Sequence, residues 1–392
     1  MAVEEGAGIY YQGTYWNDYP GGLAGLQERT SGDPAKSWSR HFKDRVDGRV
    51  FDRALMLNCG NGWVERDLFA EGTIRTAVGV DSAQDLLDEA AAAARAAGLD
   101  CAYHRLDTNT AAFPEGPYDL VVNFAAAHHV TRVDRVFRAI AERLDDDGWF
   151  VAFDYVGPHR NQYPWAVWER VHAINDTLPE DLRADLEYPH LPTMLATDPT
   201  EAVHAELLLD TLPRYFAVRE LRRIGGALAY PIMTHNRRLA AAAPERRNPW
   251  IERIMAADAE YLAAHPESTL FAYWDAQPLR GADAPGPAQL EAWAREEDER
   301  EAAAAANGGL YGRPGLLGRM EAERDELRRA RDDLRAERDE DARRHQAALA
   351  AAAARFPLPQ WQRLHDGPVG AAVRRSRPLA AAWARLRRRL ER

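Results

Sequence analysis

From Ala54 onward the chain alternates short apolar runs with helical stretches, and this alternation restricts the fold more than any other feature. ALMLN (54–58), TAVGV (76–80), CAYHR (101–105), YDLVVN (118–123) and WFVAFD (149–154) read as strands, and residues 63–71, 83–97 and 131–144 between them read as helices. Strands separated by helices imply a parallel sheet covered on both faces. YFAVREL (215–221) and GALAYPIM (226–233) read as two more strands joined at Gly225-Gly226, a hairpin that gives the sheet an antiparallel edge strand. The expected class is therefore α/β, doubly wound.

With 392 residues and 46% hydrophobic content the chain can bury a sizeable core. A net charge of −11 argues against a nucleic-acid binder. The only cysteines, Cys59 and Cys101, give no disulfide framework and fit a reducing, cytoplasmic setting. MAVEEGAGIYY lacks the basic start and apolar core of a secretory signal. No apolar run reaches the roughly 18–20 residues of a membrane span.

Composition divides the chain into five parts. Residues 1–50 concentrate aromatics (Tyr10, Tyr11, Tyr15, Trp16, Tyr19) and read as a lid or cap, or as packing for the sheet edge. Residues 51–280 hold the α/β domain. Residues 281–315, with GADAPGPAQ, read as a linker. Residues 316–355 form a charged helix or a coiled coil: 319–345 carry ten acids and nine arginines, and Met320, Leu327 and Leu334 recur every seven positions. A coiled coil there implies a homo-oligomer. Residues 356–392 form a basic tail. Leu379, Trp383, Leu386 and Leu390 line one helical face among the eight arginines of 374–392. Such a helix either docks on protein or makes a peripheral contact with the anionic inner face of the plasma membrane.

The run from Ala54 to Phe69, ALMLNCGNGWVERDLF, is a strand, a glycine turn and a helix start, an arrangement that presents backbone N–H groups to an anion. It is not a dinucleotide fingerprint, because Glu65 stands at the third glycine position. Asp81 ends the second strand, about 20 residues beyond the turn, where a carboxylate meets ribose hydroxyls. Asp107 follows the third strand, where an acid meets an adenine amino group. A P-loop and a G-x-S-x-G elbow are both absent from the sequence.

These motifs resemble the class I S-adenosylmethionine-dependent methyltransferases. LNCGNGWVE resembles their glycine motif, VGVD their ribose-binding strand end, HRLDTNT their adenine loop, YDLVVNFAAAHHV the strand facing the methyl donor, and LDDDGWFVAFDYVGP the next strand. The resemblance implies a Rossmann-like methyltransferase sheet and S-adenosyl-L-methionine as cofactor. It implies a cofactor site at Asn58, Gly60, Asn61, Gly62, Asp81, Ser82, Leu106, Asp107 and Asn123. CGNGWVERDL, AAAHHV, DYVGPHRNQYP and LPTMLATDPTEAV, followed by RRIGGAL, are similar to a bacterial subgroup tied to surface-glycan synthesis. That implies a sugar or glycan acceptor; the alternatives are a small-molecule O- or N-methyltransferase and a non-catalytic coiled-coil scaffold with a vestigial donor site. Two positions depart from the pattern: Met56 replaces the usual acid and Asn58 the first glycine. Asn tolerates the left-handed backbone the turn needs. Glu65 or a residue of 1–30 is left to support the donor's amino group.

A hydroxyl acceptor needs a base. His129, His128 and Asp154 are the candidates, with Asp154 alternatively orienting a histidine. Tyr155, His159, Arg160 and Gln162 are the candidates for acceptor binding. Glu201 and His204 read as a substrate wall or, in preference, as an ordinary helix start. No His/Cys/Asp/Glu cluster has metal-ligand spacing along the chain, so no metal is expected.

Overall fold

A computed structural model describes residues 13–191, 194, 198–306, 340, 343, 344 and 347. Tyr10, Tyr11, nearly all of the heptad segment and the whole basic tail 374–392 lie outside the described residues. Among the described residues there are eleven α-helices: α1 (Pro20–Ser31), α2 (Trp38–Arg45), α3 (Trp63–Ala70), α4 (Gln84–Ala96), α5 (Val133–Arg143), α6 (Trp165–Asn175), α7 (Leu208–Tyr215), α8 (Ala229–Met233), α9 (Arg237–Ala241), α10 (Pro244–Ala264) and α11 (Pro287–Ala306). The strands are β1 (Ala54–Leu57), β2 (Ala77–Asp81), β3 (Cys101–Arg105), β4 (Tyr118–Phe124), β5 (Leu144–Tyr155), β6 (Phe216–Gly225) and β7 (Phe271–Pro278). They form one seven-stranded sheet in the order β3-β2-β1-β4-β5-β7-β6. β1 to β5 pair in parallel, and β7 runs antiparallel to both β5 and β6.

The period-2 alternation of a strand divides the core between the two faces. Ala54 and Met56 join Leu120, Val122 and Val151 on one face, under Leu26 of α1, Val64 and Leu68 of α3 and Leu87 of α4. Leu55 and Leu57 join Val78, Val80 and Val121 on the other, under α5 and α7. Helix α5 turns Val133, Val136, Phe137 and Ile140 inward, the spacing of a single helical face.

The antiparallel element is present, but not as the expected hairpin. β6 ends at Gly225, and the next residues turn into α8 instead of a return strand. The cause is the buried carboxylate of Asp258 on α10, which accepts from the amides of Gly226 (2.9 Å), Leu228 (2.8 Å) and Ala229 (3.1 Å). Arg29 Nη1 donates to the same carboxylate at 2.6 Å and neutralises it. Three amides gathered on one acid form a helix start, and the partner strand comes from residues 271–278 much later in the chain.

Two further segments are tied into this unit. Trp16 is buried against Phe271 (5.2 Å between ring centroids) and Tyr230 (6.1 Å), and Phe271 in turn meets Tyr155 (5.6 Å). Helix α11 lies in the stretch read as a linker, yet Trp293 packs under the Arg214 guanidinium (5.2 Å) and Glu297 accepts the Asp134 amide at 2.9 Å. Among the described residues no helix is long and apolar enough to cross a membrane.

Candidate functional site

Register decides where the sequence motifs meet. Leu57 lies opposite both Val80 and Asn123, and Asn123 opposite Ala152, so β1, β2, β4 and β5 deliver their carboxyl ends to one edge of the sheet. The turn after β1 is left-handed at Asn58 (φ 44°), Gly60 (54°) and Gly62 (75°). A Cβ on Gly62 would lie 2.7 Å from Glu65 Oε1 and 2.9 Å from the Ala90 Cβ, so glycine is required there.

Asp81 holds this turn. Its Oδ2 accepts the Gly60 amide at 2.8 Å and its Oδ1 the Ala83 amide at 2.9 Å. Each oxygen retains a lone pair for a further donor. Asn58 joins the neighbouring loops to the turn: its Oδ1 accepts the Thr108 hydroxyl and its Nδ2 donates to the Ala126 carbonyl at 3.3 Å. The Leu106 amide donates to the Asp81 carbonyl at 2.8 Å, and the Ser82 carbonyl accepts Arg105 Nε at 3.1 Å. Asp107 is exposed and caps the turn Thr108–Thr110 through the Asn109 amide (2.9 Å). Two buried acceptors, Asn61 Oδ1 and Asn123 Oδ1, have no hydrogen-bond partner within the protein. Glu65 is fully buried beneath the turn, with Oε1 accepting the Tyr103 hydroxyl at 2.9 Å and burial raising its pKa. It supports the turn through Oε1, while its Oε2 is a further buried acceptor with no hydrogen-bond partner within the protein.

The ends of β4 and β5 are organised by Asp154, which is completely buried. Its Oδ2 accepts from Asn123 Nδ2 (2.5 Å) and the amides of Ala126 (3.0 Å) and Ala127 (2.6 Å). Its Oδ1 accepts from the Tyr155 amide (2.7 Å) and pairs with His128 Nδ1 (2.6 Å). All five of these donors come from within the protein, and one of them is the ring of His128.

The segment 198–204 closes over the same place. Glu201 Oε2 stands 3.7 Å from His128 Nε2 and 3.7 Å from His129 Nε2. His129 Nδ1 bonds Thr200 Oγ1 at 3.1 Å. Burial alone would lower the His128 pKa, but the Asp154 and Glu201 carboxylates outweigh it and push it up to about 10. Burial and then the neighbouring His128 push His129 down to about 4. Burial would raise Glu201, but His128 chiefly brings it down to about 2.

The expected acceptor-binding residues divide. Arg160 is buried, and its Nη1 donates to the Glu201 carbonyl at 3.2 Å. Gln162 Nε2 donates to the carbonyls of Arg160 (2.9 Å) and Pro189 (3.1 Å), and His159 Nδ1 to the Val203 carbonyl at 2.5 Å. Tyr155 is buried, its hydroxyl donating to the Pro158 carbonyl at 3.3 Å. These side chains build the wall that carries Glu201. Glu201 itself, read in the sequence as an ordinary helix start, is the member of the group that sequence reasoning set aside. Spacing along the chain shows no metal-ligating cluster, but the fold brings ligand atoms of His128, His129 and Glu201 within 4.8 Å of one another, and likewise those of His159, His204 and Glu206.

Residues 54–148 match the family model described as "Methyltransferase domain". The likeness is confined to these residues. The sheet order and the glycine turn agree with it. The chain is similar to the uncharacterized methyltransferase YcgJ of Bacillus subtilis (strain 168), 26% identical over 104 residues, which cover 26% of this chain and 41% of that protein. The match thus spans less than half the length of that relative. Among solved structures, a S-adenosylmethionine-dependent methyltransferase of Clostridium acetobutylicum ATCC 824 is similar at 21% identity and a TM-score of 0.28, over 33% of this chain and 50% of the other. A S-adenosylmethionine-dependent methyltransferase of Mesorhizobium loti is similar at 20% identity and a TM-score of 0.36, over 58% and 90%.

Proposed function

We propose that the chain is an S-adenosylmethionine-dependent methyltransferase that places a methyl group on an oxygen of a sugar or glycan intermediate. The observation that carries this reading is one edge of the sheet that holds the Asp81-clamped glycine turn and the His128–His129–Glu201 group together.

The residues present fit the donor. Asp81 retains acceptor capacity for ribose hydroxyls, and the orphaned oxygens of Asn61 and Asn123 suit the ammonium of a methionine moiety. Leu106 and Asp107 stand at the loop that would border an adenine. When bound, the donor supplies a methyl group on a sulfonium, already a good leaving group. The chain's own work is then to align the acceptor oxygen, exclude water and remove the hydroxyl proton. His128, His129 and Glu201 activate that oxygen. An amine or thiolate acceptor has less need of such a group, which favours oxygen.

A sugar is favoured by the walls beside the turn. Trp63, 37% exposed at the start of α3, stands edge-on to Phe124 at 5.0 Å, and Phe124 stacks on Trp38 (5.5 Å) and Phe153 (5.7 Å). Aromatic faces next to hydrogen-bonding side chains suit a ring with hydroxyls. The test is transfer of labelled methyl from S-adenosylmethionine to a panel of glycosides, phenols and amines. Product on glycoside oxygens is expected. Turnover confined to amines, or to non-sugar hydroxyls, would overturn the acceptor assignment.

A further inference from the structure

We propose that His128 Nε2, His129 Nε2 and Glu201 Oε2 hold a first-row divalent transition ion. Three observations converge on this. The first is distance. Glu201 Oε2 is 3.7 Å from both imidazole Nε2 atoms, too far for a hydrogen bond. Two ligands at about 2.0–2.1 Å from one ion are about 3.3–3.6 Å apart in open tetrahedral geometry, close to both Glu201 distances of 3.7 Å, and all three ligand atoms lie within 4.8 Å of one another.

The second is the outer shell of hydrogen bonds. Thr200 Oγ1 donates to Asp198 Oδ1 at 2.7 Å, so it accepts from His129 Nδ1–H at 3.1 Å. His128 Nδ1–H is engaged in the same way by Asp154 Oδ1 at 2.6 Å. The far nitrogen of each imidazole is thereby tied to an acceptor, as in metal-binding histidines, and an ion entering between the Nε2 atoms and Glu201 displaces the proton that His128 carries. The carboxylate is tied down too, since Glu201 Oε1 accepts Asn161 Nδ2 at 3.5 Å.

The third is rigidity. The Val203 amide donates to the His128 carbonyl at 3.1 Å, and the Arg160 amide to the Ala202 carbonyl at 2.7 Å, so the two ligand-bearing segments are stitched together by backbone. A site held in this way costs little ordering when an ion enters.

Two imidazoles and one carboxylate suit zinc, cobalt, iron or manganese in the divalent state, and disfavour magnesium, which prefers oxygen and water. Three protein ligands leave coordination positions open, and an ion there would polarise an acceptor hydroxyl and ease loss of its proton. That last role rests on the methyl-transfer reading; the binding of the ion does not. The second group, His159, His204 and Glu206, has an exposed carboxylate and serves as the control.

The test is a titration of the full-length chain, stripped with chelator, with Co²⁺, followed by its visible d–d absorption and then by displacement with Zn²⁺. Binding of S-adenosylhomocysteine is measured on the same sample and reports separately on the donor site. One Co²⁺ per chain is expected, displaced by Zn²⁺ and not by Mg²⁺. Glu201→Gln and His129→Ala weaken Co²⁺ binding at least about tenfold, whereas Glu206→Gln leaves it unchanged. A wild-type chain that gives no Co²⁺ band would overturn the proposal without any variant being needed. Binding that survives Glu201→Gln, or is lost only in Glu206→Gln, would overturn it as well.

Discussion

Asp81 reaches from the end of β2 to the first glycine of the turn after β1, and its Oδ2 accepts the Gly60 amide at 2.8 Å. One carboxylate thus fixes the left-handed turn and remains open to further donors. Local structure and ligand recognition rest on the same side chain.

Asp154 does comparable work at β4 and β5, but from the interior. Replacing it with alanine strands the amides of Ala126, Ala127 and Tyr155 together with His128 and Asn123. Loss of one partner from such a buried charged network costs about 3–5 kcal/mol. Denaturant unfolding of Asp154→Ala is expected to show that loss. A base role would give the reverse pattern, with wild-type stability and lost turnover.

The turn from β6 into α8 gives a contrast between two glycines. Gly225 has φ 83°, and a Cβ there would lie 2.9 Å from Arg29 Nη1 and from Asp258 Oδ2. Gly281 has φ 60° and open space around it. Gly281→Ala should cost no more than about 1–2 kcal/mol of backbone strain. Gly225→Ala should cost clearly more, because the buried ion pair must also move. Equal losses in thermal unfolding would contradict the role given to Asp258.

Glu297 sets a pH dependence. Burial first, and the Asp134 charge second, push its pKa up to about 7. The folded state therefore binds the proton more tightly than the unfolded chain, whose value is about 4.3. The stabilisation is fully present below about pH 4.3 and is lost as the pH rises through 7. Glu297→Gln, which keeps the oxygen facing the Asp134 amide, should flatten this slope and be more stable than wild type at about pH 8. A slope unchanged by the substitution would contradict it.

How legible this was depended on the range of the interactions. β1 to β5 and the helices between them were readable within a few residues, because each carries its own periodicity and the crossovers are short. The glycine turn and Asp81 were readable for the same reason. The segment after Gly225 has the strand-like composition GALAYPIM, while its conformation is dictated by Asp258, about thirty positions away. Helix α11 was hidden behind a glycine- and proline-rich approach. His128 and His129 stood out as neighbours, but Glu201 reaches them only through the fold, and nothing local in TDPTEAVHAE marks it as their partner. Asp154 was recognised as significant, and its role emerged only when its five donors could be counted.

Calorimetric titration of the full-length chain with S-adenosylhomocysteine tests whether the turn after β1 and Asp81 form the seat of the methyl donor. A donor seat there predicts saturable binding at one site per chain. It also predicts affinity at least about tenfold weaker in a folded Asp81→Ala variant, since hydrogen bonds to a charged group are worth about 1.5–3 kcal/mol each. No binding to the wild-type chain, or equal affinity in the two proteins, would contradict it.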